Sequence, residues 1–323
     1  MIKPIFAIGL AVFSLVGPCR AGELAKTVFV QKRLYGLYDD GTVSVWDPLT
    51  RKEDERQKQF VQSLGPFGLD ARDDTLYILQ SKSIAVVQRG AVTSRLPIKG
   101  TSFESQPLNF VELAGHSYAV FPDGIMDLGS GDRYALPELG GQLRKSFLRP
   151  LCYAVGQHKI WIGNGYGEWG GFLVGFDVVD KKWYWDYDSL HYVTGIALVG
   201  DKPQLVSWSM SHFMATAVLR RHDDDAKVVA SYQEFEDRYF QTAAYSNFDR
   251  NFYVVEEQTL NVCDSDGNLT KLLDLPKRPY RREGMAIGVV PGVKSLVPIA
   301  KNEIIVVFAA GEPVLIEEKK VLQ

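Results

Sequence analysis

The sequence predicts an all-β protein, a seven-bladed β-propeller of four-stranded antiparallel blades, and three observations lead there. A short signature recurs at Gly68-Leu69-Asp70, Gly195-Ile196-Ala197 and Gly284-Met285-Ala286, with 127 residues between the first two copies and 89 between the last two. Those gaps are close to three and two times a unit of about 42 residues, a period that belongs to propeller blades. Stepping by that unit meets an apolar segment every time: Val28-Phe29-Val30, Phe110-Val111-Glu112-Leu113, Cys152-Tyr153-Ala154-Val155 and Thr242-Ala243-Ala244-Tyr245 fill the remaining places, and the count is seven.

The order of elements within a unit is legible too. Blade one reads as strands over Thr27–Gln31, Leu34–Tyr38 and Thr42–Trp46, with turns at Lys32-Arg33 and Asp39-Asp40-Gly41. Blade three repeats this with Ser117–Phe121, Pro122-Asp123-Gly124 and Ile125–Leu128, and blade six with Phe252–Val255, Thr259–Cys263 and a hairpin turn at Asp264–Gly267. Runs of Val, Ile, Tyr and Phe fit a pleated surface. Gly reaches the positive φ of tight turns and Asp tolerates it. Blades packed radially cover faces that one four-stranded unit leaves open, and glycines on the innermost strand let the backbones converge. The polar stretch Arg51–Ser63 is either a short helix or the outer edge of blade one.

The chain divides into residues 1–21 and a single domain over 22–323. Met1-Ile2-Lys3, an apolar run from Ile5 to Val16, and Gly17-Pro18-Cys19-Arg20-Ala21 have the layout of a signal peptide cleaved after Ala21. About twelve apolar residues are too few to span a bilayer, so the expected location is periplasmic or extracellular, with no membrane span. Removing this segment leaves 34 basic against 39 acidic side chains and no basic stripe, which argues against a nucleic-acid partner. Cys152 and Cys263 fall two blades apart and are expected as separate buried thiols.

Pro66-Phe67-Gly68-Leu69-Asp70 followed by Leu76-Tyr77-Ile78 resembles the inner hairpin of NHL repeats, and Ile160-Trp161-Ile162-Gly163-Asn164-Gly165 resembles blades of two-component sensor propellers. The chain thus looks like exported bacterial β-propellers of the broad NHL-repeat and gluconolactonase-like kind over most of residues 26–318. That resemblance implies a lactonase, a sensor or a binding scaffold, since one fold hosts many functions.

Binding is expected to sit where the loops depart from the repeat. Blade four carries Gly163–Gly171 between its second and third strands, and blade five carries Ser207–Met214. With the connector Tyr187–Tyr192 they are expected to form one loop face, and the candidate residues are Tyr166, Glu168, Trp169, His191, Tyr192 and His212. The bland alternative is a wide hairpin with Trp169 capping a blade edge. The glycine-rich run lacks the helix that a dinucleotide fingerprint needs. No catalytic residue and no resident cofactor are expected, although Glu168, His191 and His212 could in principle converge on a divalent metal. Trp183 and Trp185 are expected to pack between blades. The leading expectation is an exported, non-catalytic protein that engages a protein or extended ligand through this face of blades four and five, inhibition being one form of such binding. The alternative is a metal-dependent hydrolase or lactonase with a site near the axis, for which Glu283-Gly284 resembles the Glu-Gly of the gluconolactonase-like pattern.

Overall fold

Antiparallel hairpins follow one another along the whole chain, because each short β-branched or aromatic run is closed onto the next by a tight turn. The computed structural model describes residues 24–99, 106–137, 149–165, 171–185, 192–199, 202–211, 214–222, 228–236, 240–256, 258–264, 268–275, 292–308 and 312–317. The first sheet holds β1 (Leu24–Val30), β2 (Arg33–Tyr38), β3 (Val43–Asp47) and β4 (Lys52–Glu53), followed by the helix α1 (Glu55–Ser63). The second holds β5 (Gly68–Arg72), β6 (Thr75–Leu79), β7 (Ser83–Gln88) and β8 (Ala91–Pro97), and the third β9 (Asn109–Leu113), β10 (His116–Phe121), β11 (Gly124–Asp127) and β12 (Arg133–Ala135). The fourth holds β13 (Arg149–Val155), β14 (Lys159–Gly165), β15 (Gly171–Asp177) and β16 (Lys182–Trp185). The fifth holds β17 (Tyr192–Val199), β18 (Lys202–Ser211), β19 (Met214–His222) and β20 (Val228–Glu236). The sixth holds β21 (Phe240–Ser246), β22 (Asn251–Glu256), β23 (Thr259–Cys263) and β24 (Leu269–Asp274), and the last β25 (Val293–Ala300), β26 (Glu303–Phe308) and β27 (Val314–Glu317). In every sheet the strands pair in sequence order, and all pairs are antiparallel. The result is an all-β, propeller-like arrangement of consecutive sheets.

First strands are neighbours from β1 through β5 to β9 and from β13 through β17 and β21 to β25, and β25 lies beside β1, so the last sheet returns to the first. The apolar core lies between sheets. Val111, Leu113, Tyr118 and Val120 of the third sheet pack on Ile160, Ile162, Val174 and Phe176 of the fourth. Leu34 and Trp46 of the first sheet pack on Ile305 and Val307 of the last. Trp183 and Trp185 pack against this cluster shared by the third and fourth sheets, as expected of residues between blades, and the Trp183 ring also lies 5.0 Å from that of Phe176 in its own sheet.

Glycine on the inner strands has a steric cause. A Cβ on Gly68 would stand 3.0 Å from the Pro107 carbonyl oxygen, and one on Gly195 would stand 3.1 Å from the Ala243 Cβ, so two of the recurrent glycines mark close approach between sheets. A second repeat emerges at the ends of third strands. Asp47, Asp127 and Asp177 each accept two backbone N–H bonds from the turn that follows. Their other oxygens meet Arg33, His116 and His158 at the first turn of the same sheet.

Several expectations meet the structure directly. Arg51–Ser63 holds both of the alternatives read for it, the edge strand β4 and the helix α1, which Asp54 caps by accepting from the Gln57 N–H. The turn at Asp264 is closed by hydrogen bonds between Asp264 and Asn268. Cys263 is a buried free thiol, and burial pushes its pKa up to about 11. The blade-five loop is a correction: Ser207–Ser211 continues β18 and pairs with Met214–Val218 of β19. The alternation of Ser with Trp and Met there is a period-two strand pattern, and the paired strand supplies its hydrogen bonds. The first strand of the last sheet is Val293–Ala300; residues 1–21, Gly284-Met285-Ala286 and Glu283 lie outside the described residues.

Candidate functional site

Of the six candidate residues, Tyr192 opens β17 opposite Trp208 of β18, while Tyr166, Glu168, Trp169, His191 and His212 lie outside the described residues. Strands β18 and β19 stay paired for three further rungs beyond the Tyr192–Trp208 pair, at Ser209–Thr216, Met210–Ala215 and Ser211–Met214. At about 3.4 Å per residue those three rungs add about 10 Å to the hairpin. Strand β14 runs to Gly165 and β15 begins at Gly171, and residues 166–170 between them lie outside the described residues.

The described residues form a separate pocket at the opposite edge of the sheets, by the turns that join first to second strands. Its volume is about 370 Å³, and its walls come from three consecutive sheets: Asp70, Arg72 and Tyr77; Phe110 and Glu112; and Tyr153. Strand alternation explains the grouping. Leu69 and Ala71 turn toward the first sheet, so Asp70 and Arg72 turn toward the third, where Phe110 and Glu112 face them.

Asp70 is the fixed point of the pocket. It is 4% exposed, and it accepts the Ala71 N–H at 2.8 Å, the Phe110 N–H at 3.0 Å and the Tyr153 hydroxyl at 2.5 Å. A buried carboxylate needs such donors, since desolvation is otherwise costly. Burial pushes the Tyr153 phenol well above its usual pKa, and the negative charge of Asp70 pushes in the same direction. On its ring rests the Lys26 ammonium, 5.0 Å from the centroid, and Lys26 also donates to Asn109. Four first strands are therefore tied together by polar side chains.

The rim is held more loosely. Glu112 meets the Tyr77 hydroxyl at 3.5 Å and the Arg72 guanidinium at 3.8 Å, while Arg72 donates at 2.8 Å to the Glu112 backbone carbonyl. Tyr77 stacks on Phe110 with centroids 4.3 Å apart, and burial, followed by the Glu112 charge, raises its pKa. The arrangement can bind a small polar group against aromatic walls. Among the described residues no group of three His, Cys, Asp or Glu side chains is placed to hold a metal. Asp70, Glu112 and Tyr153 all stand in segments the repeat identifies as inner strands. The signal that marks them is a charged or phenolic residue inside an otherwise apolar inner strand.

No protein-family model and no curated protein sequence matches the chain. Solved structures are similar in fold. The extracellular domain of the putative hybrid two-component system BT4673 from B. thetaiotaomicron aligns over 93% of this chain and 38% of that one, at 9% identity and a TM-score of 0.56. The computationally designed Ika8 protein aligns over 91% and 83%, at 15% identity and 0.54. The complex of KlAtg21 with the coiled-coil of AgAtg16 aligns over 92% and 95%, at 9% identity and 0.50. At these identities the likeness is one of fold.

Proposed function

We propose that this chain is an exported, non-catalytic binding protein, a seven-bladed β-propeller that engages a protein or an extended ligand through the loop face of blades four and five. The observation that supports this reading is the long β18–β19 hairpin, paired out to Ser211–Met214; Tyr166, Glu168 and Trp169 belong to the segment between β14 and β15 of the preceding sheet. A long hairpin at this edge suits recognition of a large partner, because function concentrates on loops that a scaffold holds in place. Export rests on the basic start, the apolar run and Ala21 of the leading segment, and implies a periplasmic or extracellular site of action. In the NHL-like and gluconolactonase-like part of the reading, the inner hairpins serve as scaffold. Inhibition of an envelope enzyme or toxin is one form such binding takes.

The test is a pull-down from envelope extract with the mature chain, run beside a Trp169→Ala/His212→Ala variant whose thermal melt matches wild type. A partner kept by the wild type and lost by the variant supports the reading. If both keep the same partner, or neither keeps one, the blade four and five face is wrong.

A further inference from the structure

We propose that the pocket beside Asp70 is a binding site for an organic cation, an alkylammonium group carried on a small apolar body. This inference stands apart from the blade four and five face, which lies at the other edge of the sheets. The pocket brings three aromatic rings together with two carboxylates: Tyr77, Phe110 and Tyr153 with Asp70 and Glu112. An ammonium is attracted to a ring face by its quadrupole, and more strongly when partly desolvated. Asp70 and Glu112 are matched by Arg72 in the lining and by the Lys26 ammonium on the Tyr153 ring, so the attraction rests on the aromatic faces and on the half-exposed Glu112 carboxylate. The same wall already holds one cation, since the Lys26 ammonium rests on the Tyr153 ring.

The two carboxylates have different duties. Asp70 is saturated by two backbone N–H groups and the Tyr153 hydroxyl, so it acts through its charge and by fixing the ring. Glu112 touches the ligand. Its side chain is 45% exposed, and its contacts with Tyr77 and Arg72 stand at the outer limit of such interactions. Arg72 spends a hydrogen bond on the Glu112 backbone carbonyl and stays close enough to compete for the carboxylate. A volume of about 370 Å³ suits a small ligand, within the usual range of such sites.

The experiment titrates choline and its uncharged carbon analogue, dimethylbutanol, into the wild-type protein at low salt, followed by ligand-observed NMR. Choline is expected to saturate and to bind about tenfold more tightly than dimethylbutanol. Glu112→Gln, at an exposed position, is expected to weaken choline by about tenfold, and added salt to weaken it further. Arg72→Ala is expected to tighten choline by roughly threefold, because it removes a competing cation. Absence of saturation, equal binding of the two ligands, an unchanged Glu112→Gln variant, or weaker binding by Arg72→Ala would each overturn the proposal.

Discussion

Replacing Tyr153 with Phe removes one oxygen and keeps the ring under Lys26, so it isolates the phenol–carboxylate bond that links the fourth sheet to the second. Tyr153 lies 83 residues from Asp70, and its hydroxyl stands 2.5 Å from both carboxylate oxygens. Without it, Asp70 keeps the Ala71 and Phe110 N–H groups. A hydrogen bond to a charged group contributes about 1.5–3 kcal/mol. The pocket adjoins the site, so a water molecule can take the place of the hydroxyl, and the lower end of that range, about 1.5–2 kcal/mol, is expected. For a chain of this size the melting temperature falls by about 3–6 °C. The assay is equilibrium urea unfolding followed by circular dichroism, with a lower midpoint and an unchanged slope. Asp70→Asn turns an amide NH2 toward one of two backbone donors and is expected to cost more, about 2–3 kcal/mol. The two changes share one bond, so the double variant is expected to lose less than their sum. A loss below about 0.5 kcal/mol for Tyr153→Phe, or additivity within that margin, would refute the reasoning.

Other perturbations follow from the same geometry. Gly175→Ala would set a Cβ 2.5 Å from the buried ring of Trp161; a loss of about 1–3 kcal/mol is expected in thermal melts, and a wild-type melt would remove the close approach from the account. Asp54→Ala takes away the cap of α1 and the bond to Arg33, with an expected cost of about 1 kcal/mol. The Gln57 N–H, opposed by desolvation and aided by Arg33, holds the Asp54 carboxyl below its usual pKa. Its contribution is therefore present above the ordinary carboxylate value and lost as pH falls through the lowered one, and Asp54→Asn is expected to shrink the acid limb of the stability profile. At the alkaline end, burial raises Tyr35 to about 12 and also holds the Tyr153 phenol well above its ordinary value of 10.0. Stability is expected to fall as pH rises above about 10, where the unfolded chain ionises first, with the phenolate absorbance of these two residues lagging the exposed tyrosines. Simultaneous ionisation of all tyrosines in the folded protein would contradict their burial.

The strands and their grouping were legible in the sequence, because both are written in local chemistry. Period-two apolar runs and Asp-Gly turns specify hairpins from neighbours a few residues apart, and the inner-strand segments read at Phe110–Leu113 and Cys152–Val155 stand inside β9 and β13. The glycine spacing carried the repeat, and Gly68 and Gly195 prove to lie where sheets converge. What the sequence left open depended on pairing. Ser207–Ser211 read as a loop because serine and methionine are weak strand formers, and only the hydrogen bonds of β19 make it strand. The pocket is tertiary in the same sense. Asp70 meets Phe110 across 40 residues and Tyr153 across 83, and no local pattern encodes such separations. Each residue taken singly looks like an inner-strand position. Convergence of first strands from three sheets turns a carboxylate, a phenol and a glutamate into one site, because burial then forces the polar groups to satisfy one another.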